Sequence, residues 1–199
     1  MQPITLIKTD LFVTQRLPTN DGYTWTLASR LGQMLQMAQD LFGPRDPSFT
    51  ILGIEFIADN PQIWYPGNRN DIIIQLDSYA ATDMSKACYQ LAHETVHLLA
   101  PDRGNPSTNF EEGVACYFAA LYMKLHFSQP SWRPVLPSYM HALQLISSRL
   151  DEDIHCVRRL RDQQPSFSHI HQDDMLTEFP ALNSADADFL ISIFNRDAA

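Results

Sequence analysis

Cysteine is scarce in this sequence, and the few cysteines show no pairing pattern. Cys88, Cys116 and Cys156 are widely separated and form no C-x-x-C pair. An odd and dispersed set of thiols does not match the disulfide frameworks of small secreted domains, so a disulfide scaffold is excluded. We therefore expect reduced thiols and a cytoplasmic protein.

Basic charge is also in short supply. Lysine and arginine number 14 against 23 aspartates and glutamates, which leaves a net charge of −9 and a pI near 5.1. Partners that carry phosphates or anionic headgroups attract a concentrated positive surface. The composition therefore argues against nucleic acid and against a membrane surface as partners.

Long apolar runs are missing as well. A membrane span needs roughly 18 or more consecutive apolar residues, whereas the apolar stretch over 91–100 is interrupted by His93, Glu94 and His97. Residues 1–10 lack a basic segment followed by an apolar run. Neither a membrane span nor a secretory signal is therefore predicted.

The chain does have enough apolar residues to bury a core. Hydrophobic residues make up 45% of its 199 positions, which predicts one folding unit. Pro130, Pro134 and Pro137 mark a linker. We therefore predict a main domain over 1–129 and a C-terminal helical lobe over 130–199 packed on it.

The periodicity of the apolar residues predicts a mixture of helices and strands. Helical spacing predicts helices over 25–42, 109–127 and 138–163, one from an N-cap at Thr82 to 100, and one from an N-cap at Ser184 to 195. Runs rich in β-branched residues predict strands over 4–14, 50–58, 63–65 and 71–76. The fold class is therefore α+β.

The helix predicted over 82–100 contains the motif His93-Glu94-x-x-His97. Residues four apart project from one helix face, so both imidazoles can reach one ion, and two neutral nitrogens suit a tetrahedral zinc. Glu94 is rotated away from the pair. It is therefore placed to hold a water molecule as a general base rather than to bind the ion.

A catalytic zinc needs a third protein ligand and an open position for water. Glu111 and Glu112, at the start of the helix over 109–127, are the candidates. With Thr108 as the N-cap, Glu111 is the third helical residue and is predicted to complete a capping box, which leaves Glu112 as the ligand. The alternative is that both glutamates only favour the positive end of the helix dipole.

Two motifs in this order resemble those of the gluzincins, the thermolysin-like clan of zinc peptidases. They are His93-Glu94-x-x-His97 and Glu112-Gly113-x-Ala115. The resemblance covers about 50–122 and implies a zincin-like α+β fold with a small sheet, an active-site helix, a glutamate helix and a helical lobe. The main domain over 1–129 would then be the catalytic domain.

The motif and the resemblance together predict a zinc-dependent metallopeptidase that acts on a peptide or protein substrate. One zinc per chain would be held by His93, His97 and Glu112, and Glu94 would be the general base. The alternative is a zinc-stabilised binding or regulatory module without turnover.

The chain departs from the gluzincin pattern in two respects. The gap between His97 and Glu112 is shorter than usual, and Cys116 stands where some members have an acidic residue four positions after the ligand. The carboxylate that should orient a metal-bound histidine is therefore unidentified, with Asp102, Asn109 or a backbone group as candidates.

The sequence offers other ligand sets as alternatives. Cys88 or Cys116 could replace Glu112 in a site with two histidines and one cysteine, and His169 and His171 could form a second pair in an extended segment. Free cysteines are more often small buried residues, and isolated histidines are more often solvated.

Stabilising the transition state should require one further donor near the metal, as the resemblance implies. Tyr117, Tyr122 and Tyr139 are the candidates, although each could simply pack in the core. The strand over 72–76 could be an edge along which an extended peptide binds, or a buried core strand.

Overall fold

The computed structural model describes residues 26–129 and 131–197, and within them the fold is α+β, as predicted. The strand predicted over 4–14 lies outside the described residues. The helices are α1 Leu27–Phe42, α2 Met84–His97, α3 Asn109–Phe127, α4 Pro137–Glu152, α5 Cys156–Gln163, α6 Gln172–Glu178 and α7 Ser184–Ile191. The strands are β1 Thr50–Ile57, β2 Gln62–Trp64 and β3 Asp71–Asp77, and short 3-10 turns lie at Ser78–Ala80 and Phe167–His169.

The three strands form one sheet in the order β1-β3-β2. β3 pairs in parallel with β1 and antiparallel with β2. Of the two alternatives for the strand over 72–76, the buried core strand is therefore confirmed and the edge strand is not. Ile72, Ile74 and Leu76 are fully buried, which makes β3 the central strand and leaves β2 at the edge.

α1 is the long amphipathic helix that its periodicity predicts. The Thr26 side chain accepts a hydrogen bond from the Ser29 backbone N–H, and Ser29 reciprocates, so the helix begins with a capping box. Gly43 ends it with a positive φ of 97°. The buried face of α1, which includes Met34 and Phe42, packs on α2.

Two helices begin or end elsewhere than predicted. Asp83, not Thr82, caps α2, and α2 ends at His97 rather than at 100. At this end the Leu99 backbone N–H donates to the carbonyl of Val96, three residues back, so the last turn is tighter than an α-helical one. Likewise, Asn183 caps α7 in place of Ser184.

α7 also ends earlier than the predicted 195. The chain beyond Ile191 turns back toward the start of α3, where Ile193 forms an isolated bridge with Thr108. The Phe194 backbone N–H donates to the carbonyl of Ser107 over 2.9 Å. The C-terminal segment therefore lies beside the first turn of α3.

The single helix predicted over 138–163 is wrong, because the chain breaks it into α4 and α5. At the break, the Asp153 carboxylate accepts a hydrogen bond from the His155 backbone N–H and pairs with Arg149 and Arg159. The His155 backbone N–H and the Asp153 carboxylate thus have partners outside a helical hydrogen-bond pattern, which favours a break at this point. The helix α6 was not predicted.

One hydrophobic core contains side chains from α1 through α7. Beside it, the buried guanidinium of Arg161 donates to the backbone carbonyls of Phe42, Gly43, Pro44, Leu99 and Pro165. This side chain therefore joins the ends of α1, α2 and α5. Among the described residues, no helix has both the length and the apolar character needed to cross a bilayer.

Candidate metal centre

Two packed helices bring the predicted ligands together. His93 and His97 lie one turn apart on α2, and Glu112 lies in the first turn of α3, which packs against α2. One ligand atom from each of the three side chains lies within 4.8 Å of the others. The three residues are therefore close enough to hold one metal ion.

The atoms that face one another in this cluster are close. His93 Nε2 lies 3.0 Å from Glu112 Oε2, and His97 Nε2 lies 3.7 Å from Glu112 Oε1. Two imidazoles and one carboxylate form a donor set that zinc accepts, as other divalent transition metals do.

The second nitrogen of His97 has a carboxylate partner. His97 Nδ1 lies 2.8 Å from Glu111 Oε1, and Glu111 is buried. Such a contact fixes the ring's tautomer and leaves Nε2 free for a metal. Glu111 therefore lies where the orienting carboxylate of a metal-bound histidine would lie, a position that the sequence did not assign to it.

The predicted role of Glu111 in a capping box is wrong, although Thr108 is the N-cap as predicted. The Thr108 side chain accepts a hydrogen bond from the Glu111 backbone N–H, whereas the Glu111 carboxylate turns to His97. The two other candidates for the orienting group have different partners. Asp102 accepts hydrogen bonds from Gly104 and Asn105 in its own loop and from Ser168, and Asn109 donates to backbone carbonyls at the end of α7.

The second nitrogen of His93 faces a thiol. Cys116 Sγ lies 3.8 Å from His93 Nδ1, one turn after Glu112 on α3. Cys116 thus contacts the outer side of the ring rather than the side that faces Glu112. Cys88, the other cysteine weighed as a ligand, is buried and contacts the sulfur of Met84.

Burial and opposite charges shift the pKa values of the three side chains. Burial alone would lower the pKa of His97, but Glu112 and Glu111 outweigh it and raise that pKa to about 9. Burial alone would raise the pKa of Glu112, but His97 and His93 lower it to about 2. Ser107 also donates a hydrogen bond to Glu112, so the carboxylate stays ionised and fixed.

Glu94 lies beside this cluster without joining it. It is 4% exposed and lines the cavities on both sides of the cluster. Among the described residues, its carboxylate has no hydrogen-bond donor. Burial raises the pKa of Glu94, while the charges of His97 and His93 oppose the rise. A carboxylate with a raised pKa that faces a cavity is suited to accept and return a proton.

A cleft passes over the cluster and widens on each side of it. One cavity of about 390 Å³ and another of about 340 Å³ share Pro61, His93, Glu94 and Tyr139. The second cavity also reaches Gln62 and Ile63 of the edge strand β2. An elongated ligand can therefore lie across Glu94 with parts on both sides.

Of the three tyrosines considered as donors, only Tyr139 lies at the cluster. Its ring centroid is 5.7 Å from that of His93, and it lines both cavities. Tyr117 instead donates to Asp151, and Tyr122 donates to Gln33 of α1. Neither Tyr117 nor Tyr122 is therefore placed to contact a ligand in the cleft.

Gly113 explains how Tyr139 comes so close. A Cβ atom at Gly113 would lie 2.9 Å from Ile146 Cδ1 and 3.2 Å from the Ala142 backbone. The missing side chain lets α4 approach α3 next to Glu112, and Tyr139 stands one turn before Ala142 on α4. Gly113, directly after Glu112, is therefore the sequence feature that could have indicated the close approach of α4 to α3.

Two further observations concern residues away from the motif helix. His169 and His171 are exposed and lie outside the cluster, so they form no part of this centre. Arg196, which sequence reasoning missed, lines the larger cavity from the C-terminal segment. No motif marks Arg196, because only the return of the chain after α7 brings it there.

Compared with known protein families, curated proteins and solved structures, the chain matches none. The resemblance to gluzincins therefore stays a prediction. What the centre can do must be argued from its own residues.

Proposed function

We propose that this protein is a zinc-dependent metallopeptidase with a zincin-like fold. The observation that carries the proposal is the orientation of the two histidines. Nε2 of His93 and of His97 faces Glu112, while Nδ1 of each ring has a separate partner. Metal-bound histidines in proteins show this division of their two nitrogens.

The proposed metal ligands are His93, His97 and Glu112, and their donor set fits zinc as described above. When bound, zinc would supply a Lewis acid that polarises the scissile carbonyl and acidifies a water molecule. Three protein ligands leave a position for that chemistry, which distinguishes a catalytic site from a structural one.

Glu94 supports hydrolysis rather than metal storage. It lies next to His93 in the chain yet faces the cleft, so it can accept a proton from an attacking water at its carboxylate. It can then return that proton to the nitrogen of the leaving amine. Tyr139, which keeps its proton because burial raises its pKa, can donate a hydrogen bond to developing negative charge on the substrate.

The cleft supports an extended polypeptide as substrate. β2 is the edge of the sheet among the described strands, and Gln62 and Ile63 border the cavity. A free strand edge can pair with an extended peptide backbone. The proposed substrate is therefore a peptide or an unfolded protein segment.

A direct test compares zinc-loaded wild type, Glu94→Gln and Glu152→Gln on a mixed peptide library analysed by mass spectrometry. Glu152 is an exposed residue of α4 and is the matched control. We expect wild type and Glu152→Gln to form the same products. The amount of product from Glu94→Gln should be lower by roughly 100-fold or more. Metal analysis must show that Glu94→Gln retains zinc.

Two results would contradict the proposal. Equal product from wild type and Glu94→Gln, with zinc retained, would show that hydrolysis does not use this centre. No product from any of the three proteins would favour the second candidate, a zinc-stabilised binding module in which Cys116 stands in place of an acidic residue.

A further inference from the structure

The two halves of the cleft differ in their charged side chains. The larger cavity is lined by Lys86, Arg133 and Arg196, with Asp77 as its only carboxylate besides Glu94 among the described residues. Asp77 pairs with Lys86 over 3.5 Å. The larger cavity is therefore positively charged on balance.

The smaller cavity lacks such cations. Glu94, Asp102, Glu111 and Glu112 line it together with His93 and His97, and among the described residues no lysine or arginine does so. Glu111 and Glu112 face the two imidazoles and would share the charge of a bound metal, so part of the negative charge is compensated. A substrate that lies across Glu94 therefore meets lysine and arginine on one side of the reacting bond only, which selects substrates by the position of their charges.

Arg196 is the cation best placed to act on a substrate. It is held where the C-terminal segment packs on α4, since its backbone carbonyl accepts a hydrogen bond of 3.0 Å from Ser138 Oγ. The ring of Phe194, two residues earlier, packs against Tyr139 in a tilted arrangement, with ring centroids 4.6 Å apart. The position of Arg196 in the cleft is therefore fixed by packing on both sides.

The Arg196 guanidinium has no acidic partner of its own. Within the described residues it forms no salt bridge, and its contact is with the Tyr139 ring at 5.8 Å. Its charge also lies close enough to Glu94 to lower that pKa against the effect of burial. A half-buried arginine beside the reacting centre, with no carboxylate to pair with, is ready to bind one from a ligand.

The walls of this cavity suit a side chain rather than bulk solvent. The rings of Tyr89 and Trp132 stack at 4.9 Å, and Pro61 and Leu136 complete an apolar lining. An ion pair is stronger when apolar surroundings exclude water from it. The cavity therefore combines a cation with an apolar wall.

We propose that the larger cavity is a specificity pocket for a carboxylate of the substrate and that Arg196 is the residue that pairs with it. This inference rests on the proposed peptidase function. The carboxylate can come from an Asp or Glu side chain near the scissile bond or from the C-terminus of the peptide.

Binding to zinc-loaded Glu94→Gln, followed by fluorescence anisotropy, tests the pocket without requiring hydrolysis. One set of amidated peptides carries a single Glu at successive positions, a second set carries Gln instead, and a third is neutral with a free C-terminus. We expect one of the two carboxylate sources to bind roughly tenfold tighter than the neutral amidated peptide.

Variants made in the same background identify the residue responsible. Arg196→Gln should abolish the preference, and Arg196→Lys should keep part of it because the charge remains. Arg69→Gln, whose side chain is 86% exposed and which lines neither cavity, should change nothing. Retention of the preference in Arg196→Gln would overturn the assignment.

Absence of any preference in the Glu94→Gln protein, including absence of binding, would overturn it as well. The outcomes are separable from those of the peptidase test. If wild type cleaves no peptide but the Arg196-dependent preference is present, the peptidase proposal fails while the carboxylate pocket stands.

Discussion

Glu111 Oε1 lies 2.8 Å from His97 Nδ1, so the residue next to the proposed ligand Glu112 contacts the opposite side of the same imidazole. Adjacent residues of one helix thus serve one histidine in two ways. Glu112 faces Nε2 as the proposed third metal ligand, and Glu111 contacts Nδ1 on the other side of the ring. The pair accounts for both glutamates without assigning either to the helix dipole.

This contact predicts that Glu111→Gln weakens zinc binding without removing it. The amide can still accept a hydrogen bond, but it no longer raises the basicity of the ring. Loss of an orienting carboxylate typically costs 10- to 100-fold in metal affinity. Competition with a zinc-binding dye measures the change.

Glu55→Gln, in β1, is the matched control and should bind zinc as wild type does. A dissociation constant for Glu111→Gln equal to that of wild type would show that the 2.8 Å contact does not act on the metal centre.

A second prediction concerns the close approach of α3 and α4. Gly113→Ala should destabilise the fold by about 1–3 kcal/mol, because the added methyl meets Ile146 and the Ala142 backbone. Helix propensity alone predicts the opposite sign, a gain of about 1 kcal/mol. Urea unfolding of the variant decides between the two.

The control for this substitution is Gly53→Ala, because a Cβ atom there meets nothing within 4 Å. It should leave the free energy of unfolding within about 0.5 kcal/mol of wild type. If Gly113→Ala is as stable as wild type or more stable, α3 and α4 are not in contact at Gly113.

Arg161 provides a third prediction, about stability alone. Arg161→Met would remove the donor from the carbonyls of Phe42, Gly43, Pro44 and Pro165 and one of the two donors from that of Leu99, and we expect a loss of about 3 kcal/mol or more. Arg158→Met changes an exposed arginine of the same helix and should cost much less. Chemical denaturation that gives equal losses for the two variants would contradict this role for Arg161.

The pKa of His97 gives a prediction about pH. In the metal-free protein this pKa is raised from 6.5 to about 9, so the protonated ring stabilises the fold. That contribution is complete below pH 6.5 and is lost as the pH rises through 9. The Tm of metal-free protein should therefore fall between pH 6.5 and 9.

Zinc-loaded protein should not show this fall, because the metal replaces the proton on the ring. Metal-free His97→Gln should show a smaller fall than wild type, because it lacks the His97 proton while, against the effect of burial, the pKa of His93 is still raised by Cys116 and Glu112. Thermal unfolding across the pH range measures all three. A constant Tm for metal-free wild type would show that His97 is not held by the two glutamates.

The main residues of this centre could be predicted from the sequence because local rules determine their positions. The spacing of His93 and His97 places both on one helix face. Thr108 caps α3, so Glu112 falls in the first turn of that helix. The role of Glu111 could not be foreseen, because it depends on the angle at which α3 packs on α2. Capping rules alone predicted the wrong hydrogen-bond partner for the Glu111 carboxylate.

Features that depend on contacts between distant segments could not be predicted from the sequence, for a similar reason. The Ile-rich strand β3 reads equally as an edge or a centre until its neighbours are known. Arg196 reaches the cleft only because the chain turns back after α7 and pairs Ile193 with Thr108. The break at Asp153 depends on arginines from two helices, which no periodicity shows.

The most direct measurement is a zinc titration of metal-free protein, followed by the rate of peptide hydrolysis. We predict no cleavage without metal, a linear rise with added zinc, and a plateau at about one zinc per chain. His97→Ala should show no plateau. Hydrolysis that is present before zinc is added, or that His97→Ala shows as well as wild type does, would contradict the account.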